Sequence, residues 1–277
     1  MKLSIIIPVH NEEATIGQVL EKIDRVDAGS WQKEVIVIND GSSDNTKNIL
    51  QDISSENSGR YKVMMLGFIL IHHETNLGKG AAIQSGLKRA SGDYIIIQDA
   101  DLEYDPMDIP NLLSSLENHN SPSFESERSR SLLRVEDRSP LILRGGEKDS
   151  DPPLSKEAIG GVVVFGKRGY KAYPERGLHY VVGAWLLTNF YNLLYYQSLT
   201  DLYTGYKLIP TSIFKNLDIE SKGFEFEAEV ACKLAKRGVI IKEVSINYQP
   251  RNKDQGKHIR FIDALKGFWM ILKLRLK

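Results

Sequence analysis

Over its first 117 residues the chain alternates two hydrophobic periods, and this restricts the fold more than any other property of the sequence. Residues 3–7, 34–38, 63–71 and 94–97 are short runs rich in β-branched and other apolar side chains, each read as a strand buried on both faces. Helical patterns separate them. Ile16, Val19, Leu20, Ile23 and Val26 recur at three-four spacing, and Ala81, Ala82, Ile83, Leu87 and Ala90 mark a second helix. Strand and helix in alternation imply a parallel sheet with right-handed crossovers, an α/β chain. Open sheets of that kind bind ligands beyond the carboxyl ends of their strands. Three acidic loops fall there: Pro8-Val9-His10-Asn11-Glu12-Glu13, Asn39-Asp40-Gly41-Ser42-Ser43-Asp44 and Gln98-Asp99-Ala100-Asp101.

Residues 119–158 break the pattern. This stretch holds eight Ser, four Pro and one aromatic residue, with charges of both signs mixed throughout, and reads as a disordered or poorly ordered insertion. Beyond it, residues 162–165 and 239–246 read as strands, and residues 178–199 and 226–237 as helices. The expected organisation is a first half over 1–118, the insertion at 119–158, a second half over 159–250 and a basic tail over 251–277. That tail carries a net charge of +6. From Phe261 it reads as a helix with Phe261, Leu265, Phe268 and Leu272 on one side, Trp269 near them, and Asp263, Lys266, Lys273 and Lys277 on another. Such a helix suits a membrane surface; the alternative is docking on the protein's own core.

Two other features bear on membranes. The apolar run at the N-terminus is too short for a signal peptide and reads as a buried strand. Residues 178–200 contain no Asp, Glu, Lys or Arg, long enough to span, but His179, Asn189, Asn192 and Gln197 lie inside, so a buried or interfacial helix is expected instead.

Composition removes several function classes. Thirty-six Lys and Arg balance 36 Asp and Glu, so no global field favours nucleic acid. The single Cys232 excludes an intrachain disulfide framework and a cysteine zinc cluster. Six His show no metal-ligand spacing, and no Ser-His-Asp or Cys-His set stands out, which leaves hydrolase chemistry with little support.

Asp99 and Asp101 flank one small residue at a strand end, where i and i+2 point to one side in extended backbone. Two carboxylates without His or Cys suit a hard cation such as Mg²⁺ or Mn²⁺, shared with substrate phosphates; the alternative is a pair of solvated loop acids. Asn76-Leu77-Gly78-Lys79-Gly80-Ala81-Ala82 opens a helix with two glycines but matches neither the P-loop nor the dinucleotide fingerprint. It suits an anion at a helix N-terminus or close backbone packing, and the residues alone leave both open.

Taken in order, the strand-end motifs of the first half resemble the nucleotide-sugar domain of family 2 glycosyltransferases, whose fold is the Rossmann-like GT-A type. In the second half, Thr200-Asp201-Leu202-Tyr203-Thr204-Gly205-Tyr206-Lys207, Gly223-Phe224-Glu225-Phe226-Glu227-Ala228-Glu229 and Tyr248-Gln249-Pro250-Arg251 leading to Gly256-Lys257 look like the polyprenyl-phosphate branch, the dolichyl-phosphate mannose and glucose synthases. The resemblance implies that Asp40 hydrogen-bonds the nucleoside and that Pro8, Asn11 and Glu12 shape the base and ribose pocket. It also places Gly78 and Lys79 at the nucleotide-sugar, and Asp99 and Asp101 at the metal and diphosphate. Arg168, Arg251 and Lys257 would meet phosphate groups, the last two on the lipid, with Arg168 also serving catalysis. Two departures stand out: Lys167 replaces the usual Ser of Gly-Ser-Arg, and Gln255-Gly256-Lys257-His258 replaces the common Glu-Gly-Lys-Lys.

The implied reaction moves a hexose from GDP-mannose or UDP-glucose to a polyprenyl or dolichyl monophosphate, with inversion by a single in-line displacement. An acceptor already anionic needs orientation and metal-assisted departure of the nucleotide more than a strong base. Asp201 is the candidate base or sugar-orienting carboxylate, or else a helix or turn cap. Two other readings are a glycosyltransferase with a non-lipid saccharide acceptor and a non-catalytic nucleotide-binding scaffold. The expected location is the cytoplasmic face of a membrane, attached peripherally.

Overall fold

The computed structural model describes residues 1–55, 67–117, 162–169, 178–251 and 261–276. The insertion at 119–158 and Lys257 lie outside these residues. The first half forms β1 (Lys2–Val9), α1 (Ile16–Arg25), β2 (Gln32–Asp40), α2 (Thr46–Ser54), β3 (Ile69–His73), α3 (Lys79–Arg89), β4 (Tyr94–Ile97) and, after a short 3₁₀ turn, α4 (Ile109–Glu117). The second half adds β5 (Val163–Arg168), α5 (Leu178–Tyr195), β6 (Lys207–Pro210), α6 (Thr211–Lys215), α7 (Phe226–Lys236), β7 (Ile241–Ile246) and α8 (Phe261–Leu276).

Among the described residues seven strands join one sheet in the order β3-β2-β1-β4-β6-β5-β7. The first four are mutually parallel, as the alternation requires, and β6 runs antiparallel to both β4 and β5. Side chains of the central strands divide strictly by parity. Leu3, Ile5 and Ile7 enter one core with α1 and α2, whereas Ile6, Ile36 and Ile38 enter the other with α3, α5 and α7. Both faces of the sheet are therefore covered, which is why these strands read as continuous apolar runs.

Some boundaries differ from the sequence reading. The third strand is not buried on both faces: β3 is the sheet edge, with Ile69 38% exposed, and it continues through His72 and His73 because these pair with Asn39 and Asp40 of β2. Residues 63–66 of that reading lie outside the described residues. The short β6 carried no sequence signal. No helix among the described residues is long and apolar enough to cross a membrane.

The tail helix has two apolar sides where the reading had one. Its inward side is Gly267, Ile271 and Leu274, while Leu265 and Trp269 stand in the open. Tyr195 donates a hydrogen bond to the Ile271 carbonyl at 3.0 Å, and the Phe190 and Phe268 rings stack at 4.5 Å, so α5 and α8 pack together.

Candidate active site

The chain switches direction of winding between β1 and β4, since β2 follows on one side of β1 and β4 lies on the other. A crevice is expected outside such a switch point, and the loops after β1 and β4 place Glu12 and Asp101 there.

The β1 and β2 loops are zipped together. Asn11, in the left-handed region at φ 53°, accepts from the Ser43 N–H at 2.8 Å, and its own N–H donates to Ser42 Oγ at 3.0 Å. The Glu12 N–H donates to Thr46 Oγ1 and the Asn45 N–H to Glu13. Pro8 lies half-buried within β1, paired to Ile38. Asp40 is buried, and its carboxylate accepts from the N–H groups of Leu77 at 2.9 Å and Gly78 at 2.8 Å and from His73 Nδ1 at 2.7 Å. In this state Asp40 therefore organises the Asn76–Gly78 turn.

That turn decides between the two readings of its glycines. A Cβ on Gly80 would lie 2.2 Å from the Ser221 carbonyl oxygen, and one on Gly78 would lie 2.3 Å from that of Lys222. The Gly80 N–H donates to the Lys222 carbonyl at 2.8 Å. Close packing of two backbones, rather than an open anion cradle, is what these glycines serve in this structure.

Acidic side chains gather at the crevice around internal cations. Lys79 Nζ lies 2.8 Å from Asp99 Oδ1 and 3.1 Å from Glu227 Oε1. Glu227 is buried and also pairs with the fully buried Lys207. Burial disfavours the Lys79 charge, but Asp99 and Glu227 outweigh it and hold the amine above the ordinary lysine range. Burial likewise opposes the Glu227 charge, yet Lys207 and Lys79 keep its carboxyl below the usual carboxylate range.

Arg251 takes the other side. Its Nη1 and Nη2 donate to Glu12 at 3.1 and 2.9 Å, Nη2 also reaches Asp101 Oδ2 at 3.0 Å, and its N–H donates to Glu103 at 2.7 Å. Burial, then the nearby carboxylates of Asp99 and Glu103, push Asp101 up to about 7, with Arg251 opposing.

Arg168 and Asp201 meet as a buried pair: Nε donates to Oδ2 at 2.6 Å and Nη2 to Oδ1 at 2.7 Å. The Asp201 carboxylate is thus taken up by the guanidinium it orients, and Arg168 also sits over the Tyr248 ring. The turn is capped by Glu243, which accepts from the N–H groups of Thr200 and Asp201. Lys167 is exposed.

Sequence reasoning missed the layer beneath. Tyr104, Tyr206 and Tyr248 cluster with ring centroids 4.9 and 5.0 Å apart, and their hydroxyls hold the Gly205 N–H, Gln98 and Glu103 respectively. Glu103, Glu227 and Lys207 were also missed. Glu103 and Glu227 stood inside quoted or adjacent motifs, but nothing in the spacing tied either to a charge more than a hundred residues away.

The donor set fits a hard cation only in part-built form. Among the described residues no group of three or more His, Cys, Asp or Glu is poised as a complete cage. An all-oxygen pair, Asp99 and Asp101, matches the habit of Mg²⁺, which takes one or two carboxylates and completes its shell with phosphates and water.

Comparison with known proteins identifies the family and the fold. The sequence pattern of the group described as "Glycosyl transferase family 2" matches residues 4–133, the segment holding the zipped loops and the acid pair. An uncharacterized protein of Methanocaldococcus jannaschii is 30% identical over 88% of this chain and 87% of its own. The dolichol-phosphate mannosyltransferase of Pyrococcus furiosus is 22% identical over 99% of this chain and 64% of its own. The chain spans between a third and two thirds of the length of such named relatives. Among solved structures, glucosyl-3-phosphoglycerate synthase of Mycobacterium tuberculosis superimposes with a TM-score of 0.61 over 99% of this chain and 80% of that one, at 18% identity. The fold is shared with that enzyme. Strand order, strand-end acids and matched residues thus lead to one conclusion: the chain belongs to glycosyl transferase family 2.

Proposed function

We propose that the protein transfers a hexose from a nucleotide-sugar of the GDP-mannose or UDP-glucose type to a polyprenyl or dolichyl monophosphate, with inversion. The observation that carries this reading is the meeting, at one sheet edge, of Asp101, the second member of the acid pair with Asp99, with the guanidinium of Arg251, which is 150 residues further along the chain. A donor diphosphate needs the first and an anionic acceptor the second. Relatives named for dolichol-phosphate and undecaprenyl-phosphate sugar transfer support the acceptor class.

In this reading Pro8, Asn11 and Glu12 line the base and ribose pocket. Asp40, through Leu77 and Gly78, holds the turn that presents Lys79 to the donor. Asp99 and Asp101 hold Mg²⁺ or Mn²⁺, whose contribution when bound is to neutralise charge on the departing nucleoside diphosphate. Arg168, aimed by Asp201, and Arg251 with Lys257 steer the phosphates, so that the acceptor oxygen meets the anomeric carbon in line. No residue need act as a strong base, because a phosphate monoester is already anionic.

The acceptor half offers a matching surface. Val182, Trp185, Leu186 and Leu193 form an open stripe on α5, and Leu265 and Trp269 do so on the neighbouring α8, with Lys266 exposed beside them. Exposed apolar groups next to cations favour the interface of an anionic membrane, and we place the protein peripherally on the cytoplasmic face. The test is transfer from radiolabelled GDP- and UDP-sugars to polyprenyl phosphate with Mg²⁺ or Mn²⁺, comparing wild type with Asp101→Ala. Label in the organic phase, lost in the variant, is expected. Label confined to an aqueous saccharide, or nucleotide binding without transfer from any donor, would overturn the reading.

A further inference from the structure

Both carboxylates assigned to the cation are already engaged, each by a different internal charge. Asp99 faces Lys79 and Asp101 faces Arg251, at 2.8 and 3.0 Å. Asp101, whose two oxygens are taken by Arg251 and by the Glu103 N–H, cannot accept a divalent ion fully until Arg251 yields, whereas Lys79 engages only one oxygen of Asp99, and the two cations are anchored very differently.

Lys79 is locked. It lies in the first turn of α3, whose backbone abuts residues 221–222, and its amine is shared with Glu227, itself fixed by the buried Lys207. Among the described residues, Arg251 is held by acids. Glu12 takes both terminal nitrogens, Asp101 one of them, and the guanidinium retains a buried Nε with no hydrogen-bond partner among the described residues. A guanidinium with an unsatisfied buried donor has not reached its best arrangement. A diphosphate or monophosphate presents several charged oxygens in a geometry that suits the same planar fork.

We infer that Arg251 is the exchangeable counter-ion of this site: it seats on Glu12 and Asp101 in the ligand-free protein and gives up Asp101 as the divalent cation and nucleoside diphosphate enter, passing to phosphate oxygens. This rests on the proposed reading of Asp99 and Asp101. Its consequence is an order of events. The residue assigned to phosphate is released for that work only once the donor side is occupied, so acceptor phosphate binds productively after the donor. Lys79 stays on Asp99 throughout, fixing the remaining charge of the pair.

The experiment is titration of the full chain with Mn²⁺ by electron paramagnetic resonance, with and without GDP or UDP, on wild type, Arg251→Gln and Arg251→Lys, each checked for folding by circular dichroism. Without nucleotide, Arg251→Gln is expected to bind Mn²⁺ about tenfold more tightly than wild type, equivalent to ~1.4 kcal/mol, with Arg251→Lys in between. With nucleotide the advantage should vanish, because the lost phosphate contact offsets it. Equal or weaker Mn²⁺ binding by Arg251→Gln without nucleotide would overturn the inference, as would Mn²⁺ binding by none of the three. In the latter case transfer to polyprenyl phosphate persisting in EDTA would leave the proposed reaction standing, so the two failures are separable.

Discussion

Replacing Gly80 by Ala sets two effects of opposite sign against each other. Gly80 is the second residue of α3, and Gly to Ala inside a helix is ordinarily worth about 0.5–1 kcal/mol in favour of the folded state. Here the added Cβ would stand 2.2 Å from the Ser221 oxygen, 2.9 Å from its carbonyl carbon and 3.1 Å from that of Lys222. The obstacle is backbone, tied by the Gly80 N–H bond to Lys222, so relief requires moving a whole segment. Overpacking of that kind costs about 1–3 kcal/mol, and straining the hydrogen bond adds about 1. The net expectation is a loss of about 1–3 kcal/mol, a fall in melting temperature of roughly 3–10 °C for a domain of this size. Gly183 is the control: it lies in α5 with nothing within 4 Å of its Cβ position, so Gly183→Ala should instead stabilise by about 0.5–1 kcal/mol. Thermal and urea denaturation of both variants read the outcome. A Gly80→Ala protein as stable as wild type but unable to bind nucleotide would refute the packing argument and restore the anion cradle.

Two further outcomes follow from the same structure. Burial would raise the Glu34 carboxyl, but bonds from Lys2, Ser4 and Ser91 outweigh it and lower it from the ordinary 4.5 to about 2. A depressed carboxylate contributes stability that is complete above about pH 4.5 and is lost as pH falls toward 2; this amounts to ~2–3 kcal/mol and should be missing from Glu34→Gln, whose acid limb will be flatter in that window. Trp185 and Trp269 are 61% and 63% exposed, so changing both to Ser should leave the melting temperature nearly unchanged while weakening sedimentation with phosphatidylserine-containing vesicles about tenfold or more. Unaltered vesicle binding would remove these stripes from the membrane face.

Local period carried the first half of the fold into view. A strand buried on both faces must be apolar at every position, as Leu3 to Ile7 are, and a crossover helix must repeat at three and four, as Ile16, Val19, Leu20 and Ile23 do. Strand ends then follow, and with them the loops of Glu12, Asp40 and Asp101, because the direction of a parallel sheet puts its carboxyl ends on one edge. Asp99 and Asp101 stand beyond the end of β4, with Ala100 and Asp101 in a turn, so the two-residue repeat of extended chain is not what brings them together. The antiparallel β6 could not be seen this way: four residues are too few to display a period, and the buried Lys207 at its start is held by Glu227 and by the Thr204 carbonyl, partners that no local pattern shows.

What the sequence determined by itself is therefore the layered sheet, the edge that carries the candidate site and the types of side chain at that edge. Which charges meet was decided by tertiary structure alone. Arg251 reaches Glu12 across 239 residues and Lys79 reaches Glu227 across 148, and no local pattern specifies either partner. The two glycines of the Gly78 turn likewise acquired a purpose only when the backbone of Ser221 and Lys222 arrived against them. The physical reason is common to all of these: hydrophobic period is a property of neighbours along the chain, whereas a salt bridge or a steric contact is set by distance in space, which closure of the sheet creates.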